Sequence, residues 1–389
     1  MFRSTAPKTV RLAVVRLFWA AGMLAGLSGC LMSWIYGDWP DTIGMAPGVH
    51  SLTGLNSPFD DFNASAVPPP LRMDALIAFA SNAGTRGERF AIETGRLRIV
   101  QNPYSRRKDK RPPPPEILAE RTGPFPRIPA SEHNHLGPSP LVASAVPERL
   151  YEAPFRHYMT LGLDLNRESM PWEKAGELAE GGVWLFDSDR EGRRNLYFVD
   201  EAGRARPFFG NDLRADDAYA TYDFERHELY FSSNRSGRFR IYRHRNRSGD
   251  IRFSRWLDDP DRAGEIEPVP EFESPGNSLA PFVDEDLLVF ASDRPGGSGG
   301  YDLYLSRRGD EGWESPRNLR EWMPEGVALN TPANEFRPSI LRLGFRNFPG
   351  LRVLIFSSDR PGGQGGYDLY LTALPEMDRP QPRQRPGLP

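Results

Sequence analysis

Residues 290–305 read FASDRPGGSGGYDLYL, and residues 356–371 read FSSDRPGGQGGYDLYL. The two stretches agree at 14 of 16 positions, at an offset of 66 residues. A segment repeated at that spacing marks a structural unit that is stacked on its copies, not a single active site. The unit is a β-hairpin by composition. VLIF at 353–356 and YDLYL at 367–371 are β-branched, aromatic or leucine residues. DRPGGQGG between them cannot continue a strand, because Pro361 has no N–H and the glycines admit positive φ. VLIF is apolar on both faces, which predicts a strand sandwiched between two packed sheets. In YDLYL, Tyr367, Leu369 and Leu371 share one face, and Asp368 and Tyr370 the other.

Two weaker copies lie upstream, VWLFDSDREGRRNLYFV at 183–199 and LYFSSNRSGRFRIYR at 229–243. All four follow one plan: an apolar run ending in Phe186, Phe231, Phe290 or Phe356, a Ser with Asp or Asn, an Arg, a Gly-containing turn, then a run holding Tyr197, Tyr242, Tyr304 or Tyr370. The Phe-to-Phe spacings of 45, 59 and 66 residues suit one blade each. LIAFASN at 76–82 is a faint fifth copy without the Arg, and TLGLDLN at 160–166 is a candidate strand of a sixth. Small sheets repeated around a ring protect one another's edges. The expected fold is therefore all-β: a β-propeller of four-stranded blades, six in number, with five as the alternative. The N-terminal strand is expected to complete the last blade.

The repeats resemble the TolB-type propeller repeat, a WD-like repeat of bacterial envelope proteins. The resemblance rests on GWESPRNLREWMPEGVALNTPANEFRP at 312–338, with its Trp-Pro-Asn-Leu lead, its Asn-Thr and its Glu335-x-x-Pro338, followed by the Ser-Asp-Arg hairpin. It is strongest over residues 277–372 and weak before 100. It implies a protein partner in envelope assembly or maintenance. Relatives often carry an OmpA-like peptidoglycan-binding domain after the propeller; none follows the repeats in this chain, so direct peptidoglycan anchoring is not expected.

The N-terminus reads as an export signal. Arg3, Lys8, Arg11 and Arg16 precede LFWAAGMLAGLSG at 17–29, an apolar stretch too short to span a bilayer comfortably. It ends at Leu27-Ser28-Gly29-Cys30, which resembles the lipobox of bacterial lipoproteins, and Cys30 is the only cysteine. The expected layout is a signal peptide at 1–29, a lipid anchor at Cys30 with a tether to residue 70 that holds some strand near its end, a propeller over 71–374 with a Pro-rich loop, or alternatively a divergent blade, at about 101–148, and a disordered tail at 375–389. Leu31 after the cysteine implies, by the enteric sorting rule, an outer-membrane protein facing the periplasm.

Removal of residues 1–29 leaves 45 basic and 52 acidic residues, a formal charge of −7. That balance argues against nucleic acid as a partner. The acidic side chains of the repeats, Asp189, Asp293 and Asp359 with Asn234 in the same slot, invite a glycosidase reading. A catalytic pair needs two unlike environments, however, and these residues recur in every copy, so they are expected to accept backbone N–H groups at the turns. Asp302 and Asp368 follow the same logic. Arg190, Arg235, Arg294 and Arg360 are expected to bridge carboxylates or carbonyls within their blades. Glu132-His133-Asn134-His135 lacks a third metal ligand, and no calcium loop, nucleophile elbow or phosphate loop is present. No cofactor is expected. The reading is a lipid-anchored, non-enzymatic scaffold that binds an envelope protein. The alternatives are a propeller enzyme acting on glycans or peptides, or a small-ligand sensor.

Overall fold

The strand at 353–356 is apolar on both faces because it is packed on both. Val353 and Ile355 join an apolar cluster with Ile77, Phe79 and Leu97 on one side, while Leu354 and Phe356 join Val289, Ala291 and Leu303 on the other. The same alternation runs through every hairpin. Trp184 and Phe186 face Ala78, Ala80 and Ile92, and Leu185 faces Leu229 and Phe231. Tyr230 and Ile241 meet Leu288 and Phe290.

The computed structural model describes residues 45, 47–67, 74–100, 116–141, 183–200, 202–223, 226–245, 256–259, 266–343 and 351–375. They form five antiparallel four-stranded sheets, each ordered from an innermost strand outward. Blade I is β2 (Asp61–Val67), β3 (Asp74–Ser81), β4 (Ala91–Val100) and β5 (Glu116–Pro124). Blade II is β6 (His135–Leu141), β7 (Val183–Ser188), β8 (Asn195–Val199) and β9 (Ala205–Pro207). Blade III is β10 (Asp217–Asp223), β11 (Glu228–Ser233), β12 (Arg240–Arg245) and β13 (Ile266–Pro268). Blade IV is β14 (Ser278–Asp284), β15 (Leu287–Ser292), β16 (Asp302–Arg307) and β17 (Arg317–Asn318). Blade V is β18 (Glu335–Leu343), β19 (Leu351–Ser358), β20 (Asp368–Ala373) and β1 (His50–Ser51).

The ring has five blades, not the expected six. Inner strands β2, β6, β10, β14 and β18 touch in cyclic order, and β18 returns to β2. Five apolar clusters fill the five gaps between blades, the last between blades V and I. The faint copy at 76–82 is a true blade strand, β3. The candidate strand at 160–166 lies outside the described residues, in the connection between two strands, β6 and β7, that pair directly with each other. The N-terminal closure is as expected: His50 pairs with Leu371 and Ser51 with Tyr370.

Two boundaries move. The stretch 30–70, read as tether, holds β1 and β2. The stretch 101–148, read as a Pro-rich loop, holds β5 and β6. β5 alternates exposed with half-buried residues, as an outermost strand should. β6 keeps Pro138 and Pro140 because an innermost strand has one unpaired edge, where a missing N–H costs little. Residues 1–44, with Cys30, and the tail 376–389 lie outside the described residues.

Each inner strand carries the same bulge. The register shifts between Phe62 and Ser65, Leu136 and Ser139, Ala218 and Thr221, Leu279 and Phe282, and Phe336 and Ser339. The third residue of each strand has positive φ: Asn63 at 61°, Gly137 at 57°, Tyr219 at 58°, Ala280 at 55° and Arg337 at 47°. Only one of these is glycine, so the other four hold a backbone state unfavourable by about 1–3 kcal/mol each.

Candidate binding site at the channel mouth

The repeated acidic residues stand at one end of the ring, each in a two-residue clamp. Asp189 accepts the Asn134 backbone N–H at 2.9 Å and its Nδ2 at 2.6 Å. Asp293 holds Asn277 the same way at 2.5 and 2.8 Å, and Asp359 holds Asn334 at 2.7 and 2.7 Å. Where the hairpin carries Asn, the partner is Asp: Asn234 with Asp216, and Asn82 with Asp60. The partner's remaining oxygen crosses to the preceding blade and accepts a backbone N–H. Phe90, Arg194, Phe239, Tyr301 and Tyr367 donate to Asn134, Asp216, Asn277, Asn334 and Asp60. A backbone bond from the first residue of each inner strand to the carbonyl of the same residue that donated its N–H completes the staple, from His135 N–H to the Phe90 carbonyl through to Asp61 N–H to the Tyr367 carbonyl. Asp189, Asp293 and Asp359 thus accept backbone N–H groups, as expected, but from the start of the inner strand of their own blade and not from the turn, and the partner side chain makes the link between blades. Asp302 and Asp368 do face turn N–H groups, those of Ser298 at 2.5 Å and Gln364 at 2.6 Å.

The repeated arginines lie over the Phe–Tyr pairs that the sequence plan keeps. Arg190, Arg235, Arg294 and Arg360 sit 4.2, 5.0, 4.7 and 5.0 Å from the Tyr197, Tyr242, Tyr304 and Tyr370 ring centroids. Arg235 also pairs with buried Asp217 at 2.8 Å, and Arg360 with buried Glu335 at 3.0 Å. Arg294 reaches the Ser278 hydroxyl at 3.1 Å. The blade I hairpin has Ala83 in place of the Arg that follows the clamp residue, and Arg121 of the outermost strand takes over that role. It bonds Asp61 at 2.6 Å and lies 5.0 Å from the Phe79 ring. In blade II the group at the Asp61 position is His135, 2% exposed and kept neutral: burial and then Arg190 push its pKa down to about 4.

Half-buried aromatic side chains surround this end of the channel. Phe62 packs edge-on to Phe90 at 4.8 Å and against Tyr367 at 5.8 Å. Phe336 packs against Tyr301 and Tyr219, both at 5.5 Å, and Phe239 joins the same cluster. Burial raises the Tyr301 pKa and, with Asp359 nearby, pushes Tyr367 up to about 12, so both phenols are donors and not bases at neutral pH.

Below the mouth lies a charged group formed by residues that do not repeat. Asp187, fully buried, pairs with the Arg194 guanidinium, with an Nε contact of 3.0 Å, and accepts the Tyr219 backbone N–H at 3.3 Å. Arg194 Nη1 donates to the Tyr219 hydroxyl at 2.6 Å. Burial disfavours the Arg194 charge, yet Asp187 and Tyr219 hold its pKa above the usual arginine value. Arg337 enters from blade V, passes 5.2 Å from the Tyr219 ring centroid, and donates Nη2 to the Gly137 carbonyl of blade II at 3.3 Å. Sequence reasoning missed Asp187, Arg194, Tyr219 and Arg337. Alignment of the five inner strands, DFNAS, HLGPS, DAYAT, SLAPF and EFRPS, picks out Tyr219 and Arg337 at the third position, which varies most in size and charge; Asp187 and Arg194 lie on the second strand and hairpin of blade II, outside that alignment.

Glu132 and His133 form an exposed contact at 3.6 Å, apart from buried His135. Among the described residues no group of three or more His, Cys, Asp or Glu side chains is placed to hold a metal, and no helix is long and apolar enough to cross a membrane.

The fold and its inter-blade staples define a β-propeller. No family model matches the sequence, and no curated protein matches it. Among solved structures the chain is similar to TolB from Acinetobacter baumannii, at 14% identity and TM-score 0.29, covering 82% of this chain and 66% of that one. It is similar to a GH43 β-xylosidase/α-arabinofuranosidase from a compost microbial metagenome, at 10% identity and TM-score 0.39, covering 85% and 96%. It is also similar to a Trypanosoma rangeli sialidase, at 8% identity and TM-score 0.33, covering 80% and 44%. These are loose superpositions, and the five-bladed ring rests on the strand pairing itself.

Proposed function

We propose that this chain is a lipid-anchored scaffold of the bacterial cell envelope that docks a protein partner at the mouth of its channel. Its anchor is Cys30 in the outer membrane, with the propeller facing the periplasm. The observation that carries this reading is the aromatic mouth. Phe62, Phe90, Phe239, Tyr301, Phe336 and Tyr367 are half-buried around one end of the ring, and clustered, partly exposed aromatic surface is what protein interfaces use as anchors. The hairpin carboxylates beside them are engaged in the staples, so the mouth offers contact area in place of a free acid–base pair. The TolB-type resemblance of the repeats supports a partner in envelope assembly or maintenance.

The enzymatic alternative has one observation in its favour: Asp187, a carboxylate that does not recur in the other blades, lies beneath the mouth. It is ion-paired with Arg194, whereas acid–base work on a glycan requires two carboxyl groups in contrasting environments.

In-cell crosslinking with a photoreactive residue at position 301 or 336, followed by mass spectrometry, tests the scaffold reading. A reproducible envelope protein captured in near-equal amount supports it. Capture of nothing above background sinks it and directs work to glycan and peptide substrates.

A further inference from the structure

We propose that the centre of the ring is a receptor for a single carboxylate, which enters through the aromatic mouth and pairs with Arg337. This deepens the scaffold reading, on which it rests, by naming the chemistry that the mouth admits.

Arg337 bears three penalties together. It is 2% exposed, its φ of 47° is left-handed, and its Nη1 has no hydrogen-bond partner among the described residues. Its one direct hydrogen bond from the guanidinium is to a neutral carbonyl. The nearby carboxylate, Asp187, is already committed to Arg194 and to the Tyr219 N–H. One positive charge is thus left over at the centre of the ring. A buried guanidinium without an anion is expensive, and a residue kept at such a position despite backbone strain marks a site.

The neighbouring blade supplies a second open group. Arg337 reaches from blade V across the ring to blades II and III, and blade I stands between V and II. There Asn63 occupies the same bulge position, is fully buried, and has neither its Nδ2 nor its Oδ1 bonded. An amide donor at the same level of the ring as a guanidinium fork suits the two oxygens of a carboxylate. One uncompensated positive charge selects a monoanion over a phosphate dianion. The side chains between the mouth and Arg337 are aromatic and in contact: Tyr301 touches Phe336, Phe336 touches Tyr219, and Tyr219 lies against Arg337. The ligand class is therefore a carboxylate on an aromatic or apolar body, either a free acid or the C-terminal residue of a peptide.

The test is calorimetry and thermal unfolding of the full-length lipidated protein in detergent at neutral pH. The probes are phenylacetate and phenylacetamide, and a Gly-Gly-Phe peptide with its C-terminal amide. Phenylacetate is expected to bind and raise the melting temperature, while phenylacetamide does neither. Binding of the free-acid peptide assigns the site to chain ends, and its failure beside phenylacetate binding assigns it to small acids; both support the receptor. Arg337→Met should abolish binding. Arg337→Lys, which keeps the charge but loses the fork, should weaken it about tenfold, as for one charge-assisted hydrogen bond. Equal binding of acid and amide, binding of neither, or wild-type affinity in the variants would overturn the proposal. If Arg337→Met does not fold, the acid–amide contrast on the unaltered chain still decides. Absence of carboxylate binding beside a captured partner would remove the receptor and leave the scaffold. Carboxylate binding with no captured partner would do the reverse.

Discussion

Asp359 and Asn334 hold each other twice, once through the Asn334 backbone N–H and once through its Nδ2, and Asn334 Oδ1 then accepts the Tyr301 N–H from the preceding blade. In blades I and III the same clamp is built with the residue types exchanged, as Asp60 with Asn82 and Asp216 with Asn234. Both orders work because each position must accept one backbone N–H, while only one of the two has an amide to donate. Asp359→Asn places two amide donors face to face, and Asn334→Asp places two carboxylates there. Each single change should lower stability by about 1–3 kcal/mol. The double exchange recreates the blade III arrangement and should recover most of that loss, a coupling readable in a denaturation cycle. Additive losses would mean that the clamp is incidental.

Arg121 substitutes from β5 for the guanidinium that blade I lacks at the hairpin position after its clamp residue. Asp61, its partner, is fully buried and keeps only the Ser57 N–H and hydroxyl when Arg121 is removed. Arg121→Met should therefore destabilise the chain by about 2–4 kcal/mol, near the lower end for breaking a buried pair. Ala83 stands where Arg235 and Arg360 stand in their blades, one residue after the clamp residue. Ala83→Arg in the Arg121→Met background should restore much of the loss. Equal stability of the single and double variants in chemical denaturation would refute the substitution.

The hairpins were legible because their pattern is local. An apolar run, a charged turn and a Tyr-bearing run follow one another within some 16 residues, and packing on both faces demands VLIF-type strands. Blade count was not legible in the same way, since it depends on which strand pairs across long connections. Blade I hid for a physical reason: its guanidinium comes from residue 121, some 40 positions from the hairpin that needs it. β6 hid because Pro138 and Pro140 contradict a central strand, yet suit an edge that faces the channel. The charged group beneath the mouth could not be read from the hairpin repeats, and the inner-strand alignment that marks Tyr219 and Arg337 requires the blades to be known first. Asp187, Tyr219 and Arg337 come from blades II, III and V, and closure of the ring alone brings them together.

Cys30→Ala tests the anchor. With the thiol gone, metabolic labelling with a palmitate analogue should fall to background, and the chain should leave the outer-membrane fraction. Because Cys30 is the only cysteine, no disulfide is lost with it, and the propeller should melt at the same temperature as the parent. Retention of membrane attachment by the variant would remove the lipoprotein assignment.

His135 sets a pH window for stability. Its Nε2 meets the Ser131 hydroxyl at 2.9 Å and its Nδ1 the Ser188 hydroxyl at 3.1 Å, so the neutral ring is satisfied on both sides. Burial, and then the Arg190 charge, lower its pKa from 6.5 to about 4. Between those values the unfolded chain binds a proton that the folded one refuses, so the folded state loses ground as pH falls. The contribution is fully present above about pH 6.5 and declines by up to about 1.4 kcal/mol per pH unit down to about pH 4. His135→Gln removes the titrating group. From pH 7 to 5 the parent should lose about 2 kcal/mol more than the variant in urea denaturation. Parallel stability curves over that range would show that His135 titrates alike in both states, and the cause of any acid sensitivity would have to be sought among the carboxylates.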